Sequence, residues 1–433
     1  MTVVAVREYE SIRVGDTCDA SSQTVTKAQG AFLERFNEAQ QRRFKARPFQ
    51  YGPRGSLVAQ NYVGIIDLGN DQVEVLPKID APATDVRRSL AKMLCVALDV
   101  DVLGEGGTSV NEADSILEVL VRLFCAHLWT ALHKGMVRRY EAKSDTLTVL
   151  RGRVDFTQQL RQNICRPDRL ACNFDEFTED TALNQVLKAA LRLLIRVAKR
   201  PANQRSLAEL LFCMEDVADV PIGALRWHQA VADRLSARYR PLLEMAKLFL
   251  SGTSPDVLTG QRAGFALMFD MNVLFEEYVG RLLQRTFARS GMAVRRQGPF
   301  RHVARRNDGM PAFLLKPDVA AQHGEDIRWI VDTKWKRLDL DRTRDGVSSG
   351  DMYQMVVYAR QYRAPHVMLL YPHHVELGDN PGLRDSYLLE PSGIEGEVRK
   401  ISVGTLDLRN LGTVPAQLEE MLKPLPSPGS PRS

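Results

Sequence analysis

No stretch of this sequence approaches the roughly eighteen consecutive apolar residues that read as a membrane span, so none is expected. The opening MTVVAVREYE has no basic segment leading into an apolar one, so no secretory signal is expected either. Cysteine is scarce: six residues, at 18, 95, 125, 165, 172 and 213, with no C-x-x-C pair and none beyond Cys213. That usage suits reduced thiols in a cytoplasmic protein and excludes a disulfide scaffold. The eight histidines show no metal-ligand spacing, and the one adjacent pair, His373 and His374, does not share a ligand direction. No G-x-x-x-x-G-K-[ST] occurs, so the chain is not itself a P-loop nucleotidase. Charge of one sign is also lacking: the net value is +5, which is compatible with nucleic acid without identifying it. With 433 residues, 44% apolar and 26% charged, the chain has the composition of a globular protein of two or three domains.

The richest stretch runs from Lys316 to Lys336, KPDVAAQHGEDIRWIVDTKWK. Phe313 to Ala321 and Ile327 to Trp335 are mostly apolar and flank a polar run with Gly324, which predicts a β-hairpin. Alternation puts Asp332 and Lys334 on one face and Trp329, Val331, Thr333 and Trp335 on the other. A turn centred near Gly324 places Asp318 about two positions diagonally from Asp332, within side-chain reach. Two carboxylates so close repel, and a hard divalent cation such as Mg²⁺ relieves the repulsion; a lysine beside them can orient a water or face a phosphate. An exposed hairpin with an ordinary surface ion pair would read the same way on this motif alone. Two further Pro-Asp pairs, Pro167-Asp168 and Pro255-Asp256, precede no D-x-K strand.

Neighbouring segments add to the picture. Asp351 to Arg363 is helical in pattern and puts Gln354 and Tyr358, four apart, on one face. Met268 to Phe287 reads as a helix with Leu274, Phe275, Val279, Leu282 and Leu283 in its apolar arc. Glu276 falls at one edge of that arc and Glu277 just off the other; a third metal ligand and a solvated glutamate both fit. From Arg281 to Arg306 arginines recur without an acidic residue, and Arg295, Arg296, Arg301, Arg305 and Arg306 suit either phosphate contacts or a solvated basic face.

Taken in order, residues 1–84 read as a β-rich module with one helix, Thr26 to Phe44, and a hairpin around Gly69-Asn70-Asp71. Residues 85–254 read as mainly helical, with strong helices from Ile116 to Lys134 and Leu183 to Lys199. Leu147 to Phe156 reads as a strand pair or an extended connection. Residues 255–415 hold the hairpin within an α/β core with a mixed sheet, in which Val367 to Tyr371 should be a buried parallel strand. Residues 416–433, rich in Pro and Ser, read as a disordered tail. The fold class is thus α+β multidomain.

Pro317-Asp318 followed by Asp332-Thr333-Lys334 resembles the PD-(D/E)XK nucleases, and the Gln354–Tyr358 helix resembles the accessory helix of RecB-like members. More of the chain resembles the McrC family, the nuclease subunits of McrBC modification-dependent, 5-methylcytosine-directed restriction systems of phage defence. NYVGIIDLGNDQVEVLPKI (61–79), LHKGMVRRY (132–140), LRGRVDF (150–156), DEFTEDTALNQVLKAAL (175–191) and MNVLFEEYV (271–279) carry the likeness with the nuclease motif. The resemblance implies a C-terminal restriction-endonuclease-like core that cuts double-stranded DNA with Mg²⁺. It also implies an N-terminal part that engages and stimulates an McrB-like AAA+ GTPase ring, which binds the GTP and reads the modified base. Asp318, Asp332 and Lys334 map onto the family's catalytic motif, Glu276 onto its helix glutamate, and Gln354 and Tyr358 onto the accessory helix. A stand-alone RecB-like repair nuclease and a non-catalytic ring activator are the competing readings.

Overall fold

The computed structural model describes residues 2–99, 115–234, 236–259, 262–339, 346–389 and 399–422. The chain divides into two compact units, Met1–Val119 with Pro255–Ser433, and Leu120–Ser254. The N-terminal part of the first carries β1 (Val3–Arg7), β2 (Ser11–Gly15), β3 (Thr24–Thr26), α1 (Lys27–Phe44), β4 (Phe49–Tyr51), β5 (Leu57–Ala59), β6 (Tyr62–Asp67), β7 (Gln72–Leu76) and α2 (Ala83–Ala97). Helix α1 starts where Thr26 and Gln29 cap each other reciprocally, and it buries Phe32, Leu33 and Phe36. Strands β6 and β7 form the expected hairpin, with Gly69 at positive φ in the turn. Every residue of β7 is buried, and β1 lies parallel to it.

Helix α3 (Ile116–His133) leads into the second unit, which adds β8 (Arg139–Leu147), β9 (Arg153–Val154), α4 (Phe156–Gln162), β10 (Leu170–Thr178), α5 (Ala182–Val197), α6 (Pro201–Cys213) and α7 (Arg240–Ser251). Helix α3 is long and apolar enough by composition to cross a bilayer, but it is interrupted by Glu118 and Arg122 and 61% of it is buried inside the protein. Within the unit, Phe124 of α3 meets Phe249 of α7 edge-on at 5.6 Å, the packing of a core helix. Pro201 opens α6, as its fixed φ allows at a first turn. The Leu147–Phe156 stretch is not a strand pair: β8 ends at Leu147, β9 is two residues, and Asp155 caps α4. Strands β8 and β10 pair antiparallel along their full length.

The chain then returns to the first unit through β11 (Thr253–Thr259), β12 (Arg262–Asp270), α8 (Met271–Thr286), β13 (Ala293–Arg296), β14 (Arg301–Arg305), β15 (Pro311–Leu315), β16 (Val319–His323), β17 (Asp326–Thr333), α9 (Ser349–Gln361), β18 (His366–Pro372), β19 (Gly382–Leu389), β20 (Arg399–Leu406) and α10 (Val414–Met421). Strand β12 pairs with β6, so one five-stranded sheet, β1-β7-β6-β12-β11, joins the two ends of the chain. Gly64 makes this pairing possible: a Cβ there would lie 1.9 Å from the carbonyl oxygen of Leu267. A second, mixed sheet has the order β13-β16-β17-β18-β20-β19. Its β17, β18 and β20 are parallel, and every residue of β18 is buried, as the VMLLY run predicts.

The run Phe313 to Ala321 is two strands. It breaks at Lys316-Pro317-Asp318, where Pro317 offers no N–H to a ladder. The segment expected to be a tail begins as helix α10, which buries Val414, Leu418 and Met421; residues 423–433 lie outside the described residues.

One buried pair ties the first unit together. Arg87 of α2 donates from Nε (2.9 Å) and Nη2 (2.6 Å) to Glu74 Oε2, while Glu74 Oε1 accepts from the backbone N–H of Ile116 at 2.8 Å. Glu74 is fully buried. Replacing Arg87 by alanine strands that carboxylate and is expected to cost about 3–5 kcal/mol of stability. Urea unfolding followed by circular dichroism checks it, and a loss within experimental error of zero would refute the assignment.

Candidate functional site

Strand β17 brings the motif to the edge of the core. The pairing Val319–Val331 sets Asp318 opposite Asp332, closer than the diagonal expected from the sequence. A bulge between Ala321 and Gln322 slides the hairpin by one residue, and a turn centred between Gly324 and Glu325 instead of on Gly324 supplies the other. Asp332 is 1% exposed at the end of β17. Asp318 Oδ2 accepts from the Thr333 N–H at 2.7 Å and from the Thr333 hydroxyl at 2.8 Å. Lys334 Nζ lies 2.7 Å from Asp332 Oδ2 and donates to Gln354 Oε1 at 3.2 Å. Gln354 Nε2 reaches Asp332 Oδ1 at 3.4 Å and the Tyr358 hydroxyl oxygen at 2.9 Å. That hydroxyl donates to the Lys316 carbonyl at 3.2 Å, closing the ring back to the Pro317-Asp318 turn. Asp318, Asp332, Lys334, Gln354 and Tyr358 thus gather at one place, as their spacing suggests.

The electrostatics of this place are unusual. Burial, then the neighbouring Asp318 charge, pushes Asp332 up to about 7. Burial raises Asp318 as well, against the pull of its Thr333 hydrogen bonds. Burial by itself would lower Lys334, but Asp332 and then Asp318 outweigh it and keep the ammonium charged. On α8, burial and then Asp318 raise Glu276, whose Oε1 accepts from Gln297 Nε2 at 3.1 Å. Glu277 instead pairs with Arg296 and lies 3.9 Å from Arg281. Of the two glutamates, Glu276 is the one that has no arginine partner among the described residues and whose acidity responds to the Asp318 charge.

Among the described residues no three His, Cys, Asp or Glu side chains converge tightly enough to hold a metal ion unaided. The donor set nonetheless fits a divalent cation. Asp332 Oδ2 is buried and held only by the Lys334 ion pair, without a well-aligned hydrogen bond. Two carboxylates with raised pKa values gain from a cation, and Mg²⁺ takes one or two protein carboxylates while keeping its waters.

The arginine strip is less uniform than the sequence suggests. Arg281 and Arg285 both reach Asp99, at 3.3 and 2.9 Å, and Arg296 is committed to Glu277. Arg295 on β13 is exposed. Arg301 bonds the Gln361 carbonyl, Arg305 the Gly309 carbonyl at 3.2 Å, and Arg306 lies 3.5 Å from Asp308.

By fold and site this is a mixed α/β protein with an Asp–Asp–Lys centre, built on buried Asp332, at the rim of a mixed sheet. A model of the McrBC 5-methylcytosine restriction system component family matches residues 57–372, and the chain belongs to that family. It is 18% identical over 278 residues to the type IV methyl-directed restriction enzyme EcoKMcrBC of Escherichia coli (strain K12), spanning 60% of this chain and 78% of that protein. Two solved structures share the fold. One is a half-complex from a tetradecameric assembly of Thermococcus gammatolerans McrB AAA+ hexamers with bound McrC. It matches at a TM-score of 0.69 and 19% identity, over 97% of this chain and 99% of that one. The other, the Thermococcus gammatolerans McrBC complex, matches at 0.50 and 21%, over 70% and 90%. These matches agree with the resemblance to McrC subunits seen in the sequence.

Sequence reasoning missed the residues that hold Trp335, next to Lys334. The Trp335 indole N–H donates to both oxygens of buried Glu8, at 2.9 and 3.0 Å. Lys78 donates its backbone N–H to Glu8 at 3.0 Å and its ammonium to the Trp335 carbonyl at 3.3 Å. Asp80 pairs with Arg337. Motif spacing carries no trace of these contacts, of which those to Trp335 and Arg337 join residues some 250 or more positions apart. Residues 1–84, read as a separate module, therefore contribute strands and side-chain ties to the unit that holds the site. Deleting residues 1–80 is expected to abolish cooperative unfolding of the first unit, and Glu8→Ala to destabilise it by about 1–3 kcal/mol through unpaired buried donors. Thermal melts of the two variants check this; a deletion variant that melts like the full chain would refute it.

Proposed function

We propose that this chain is the endonuclease subunit of a GTP-driven restriction complex, hydrolysing phosphodiester bonds of double-stranded DNA that carries modified cytosine. The observation that carries the reading is the buried Asp332 opposite half-buried Asp318, with Lys334 tied to Asp332 and to Gln354. The hairpin β16–β17 followed by parallel β18 supports a PD-(D/E)XK core around it. Asp318 and Asp332, with Glu276 beside them, would hold Mg²⁺. The cation, when bound, supplies Lewis-acid neutralisation of phosphate charge and activation of water. Lys334 stays charged and orients a water or meets the scissile phosphate. Gln354 fixes the ammonium, and Tyr358 fixes Gln354.

The GTPase would be a separate McrB-like AAA+ ring, since this chain has no P-loop and the structurally similar assembly contains McrB hexamers with bound McrC. The second unit offers a surface for such a partner. Tyr140 and Phe177 stack at 5.0 Å on the exposed face of β8–β10, and Leu150, Phe156 and Ile164 nearby in sequence are more than half exposed. Exposed apolar side chains in such number mark a protein contact. This reading moves the ring contact from residues 1–84, which are tied into the first unit, to the second unit.

Asp332→Asn and Lys334→Ala should each lower cleavage of modified duplex by at least about a hundredfold, and the double variant should be no worse than the worse single one. Both should still stimulate GTP hydrolysis by the ring, whereas Leu150→Asp with Phe156→Asp should lose stimulation and keep the fold. Cleavage and GTPase rates on the same preparations decide the matter. Undiminished cleavage by Asp332→Asn would sink the nuclease reading and favour an activator without catalysis; cleavage with no need of a ring would favour a stand-alone nuclease.

A further inference from the structure

The hairpin β14–β15 is an element without an evident packing role. All five residues of β14 are exposed, and so are Phe300 (61%), Met310 (62%), Phe313 (77%) and Leu314 (55%). A two-stranded ribbon with its apolar side chains in solvent gains nothing in the isolated fold. Phe313 also sits at φ 58°, the left-handed region that a bulky residue adopts only under constraint, and it falls between the paired positions Ala304–Ala312 and His302–Leu314. Arg301, Arg305, Arg306 and Lys316 oppose the lone acidic residue of the ribbon, Asp308.

The base of the ribbon is firmly held. The Tyr362 hydroxyl contacts the Pro299 carbonyl at 2.6 Å and the Leu315 carbonyl at 3.2 Å, one on each strand's flank. Arg301 lies 5.0 Å over the Tyr362 ring and bonds the Gln361 carbonyl. Tyr362 closes α9, the helix that carries Gln354 and Tyr358, and β15 runs straight into Lys316-Pro317-Asp318. The ribbon is thus anchored to the end of α9 and runs on into the Pro317-Asp318 turn, while its far end, Arg305 to Met310, is exposed.

We infer that β14–β15 is a DNA-gripping ribbon that enters a groove of the duplex, with Arg305 and Arg306 on phosphates and Phe313 as an apolar wedge against the bases. The inference rests on the nuclease reading and adds how the duplex is held beside Asp318. Charge complementarity selects the occupant: a basic ribbon beside two carboxylates suits a polyanion whose backbone meets the arginines and whose bases meet the aromatic ring. Two-stranded ribbons fit DNA grooves, and inserted apolar side chains unstack base steps.

The test reads, in metal-free buffer, the full chain with its ring partner on a duplex carrying 2-aminopurine, whose emission rises when it is unstacked; cleavage and GTP hydrolysis are read on the same preparations with Mg²⁺ added. The wild-type complex should raise the emission. Phe313→Ala should abolish the rise while weakening binding by no more than about tenfold, and Phe313→Trp should retain it. Arg305→Ala with Arg306→Ala should weaken binding to every sequence and lower the slope of log K against log salt by about two. An emission rise undiminished in Phe313→Ala, in a complex whose cleavage still depends on Asp332, overturns the ribbon alone. Loss of ring GTPase stimulation in Phe313→Ala with duplex binding unchanged overturns it in favour of a protein contact. Absence of duplex binding by the wild-type complex overturns both the ribbon and the nuclease reading.

Discussion

Setting one buried and one half-buried carboxylate against a single ammonium leaves a charge imbalance, and much of the first unit can be understood as the cost of holding it. Each buried carboxylate is unfavourable unless paired. Asp318 is compensated by the Thr333 backbone and hydroxyl, Asp332 by Lys334, and the remainder shows as raised pKa values in both acids and in Glu276. A fold selected for stability alone would replace such a cluster with apolar residues. Its persistence at the end of a central strand argues for a ligand that supplies the missing positive charge.

Holding the cluster needs rigid walls on both faces of the sheet. On one face α9 packs Met355, Tyr358 and Tyr362 with Ile330, Val367 and Leu369. On the other α8 sets Phe275 against Trp335 at 5.4 Å and Phe287 against Trp329 at 5.5 Å. Trp335 is then locked from a third side by Glu8 and Lys78. The N-terminal strands are accordingly part of the scaffold that fixes Lys334, which explains why β1, β6 and β7 share a sheet with β12.

The gathering of the Asp–Asp–Lys motif with Gln354 and Tyr358 was legible because it is local in sequence: Asp332 and Lys334 lie two apart on a strand, and Gln354 and Tyr358 four apart on a helix. The buried strand β18 was legible from an unbroken apolar run. What could not be read depends on contacts distant in sequence or on competition between neighbours. The bulge after Ala321 changed the register of Asp318. Asp99 and Glu277, outside or at the start of the arginine-rich stretch, neutralise Arg281, Arg285 and Arg296, so a run of one sign in sequence is only partly one in space. Glu276 and Glu277 are equivalent by helical position, and only the pairing of Glu277 with Arg296 separates them.

Lys334 shows how the supporting residues define what the site can do. The ammonium is ion-paired with Asp332 and donates to Gln354, whose other end is held by Tyr358, so the side chain cannot swing away without breaking both contacts. An ammonium has three donors, and this one is not saturated by those two contacts. A fixed, charged lysine beside two carboxylates short of positive charge is arranged for a ligand that brings a cation to the acids and an oxygen to the amine. A phosphodiester with its counter-cation meets both demands at once, which a simple surface ion pair at a hairpin would not create.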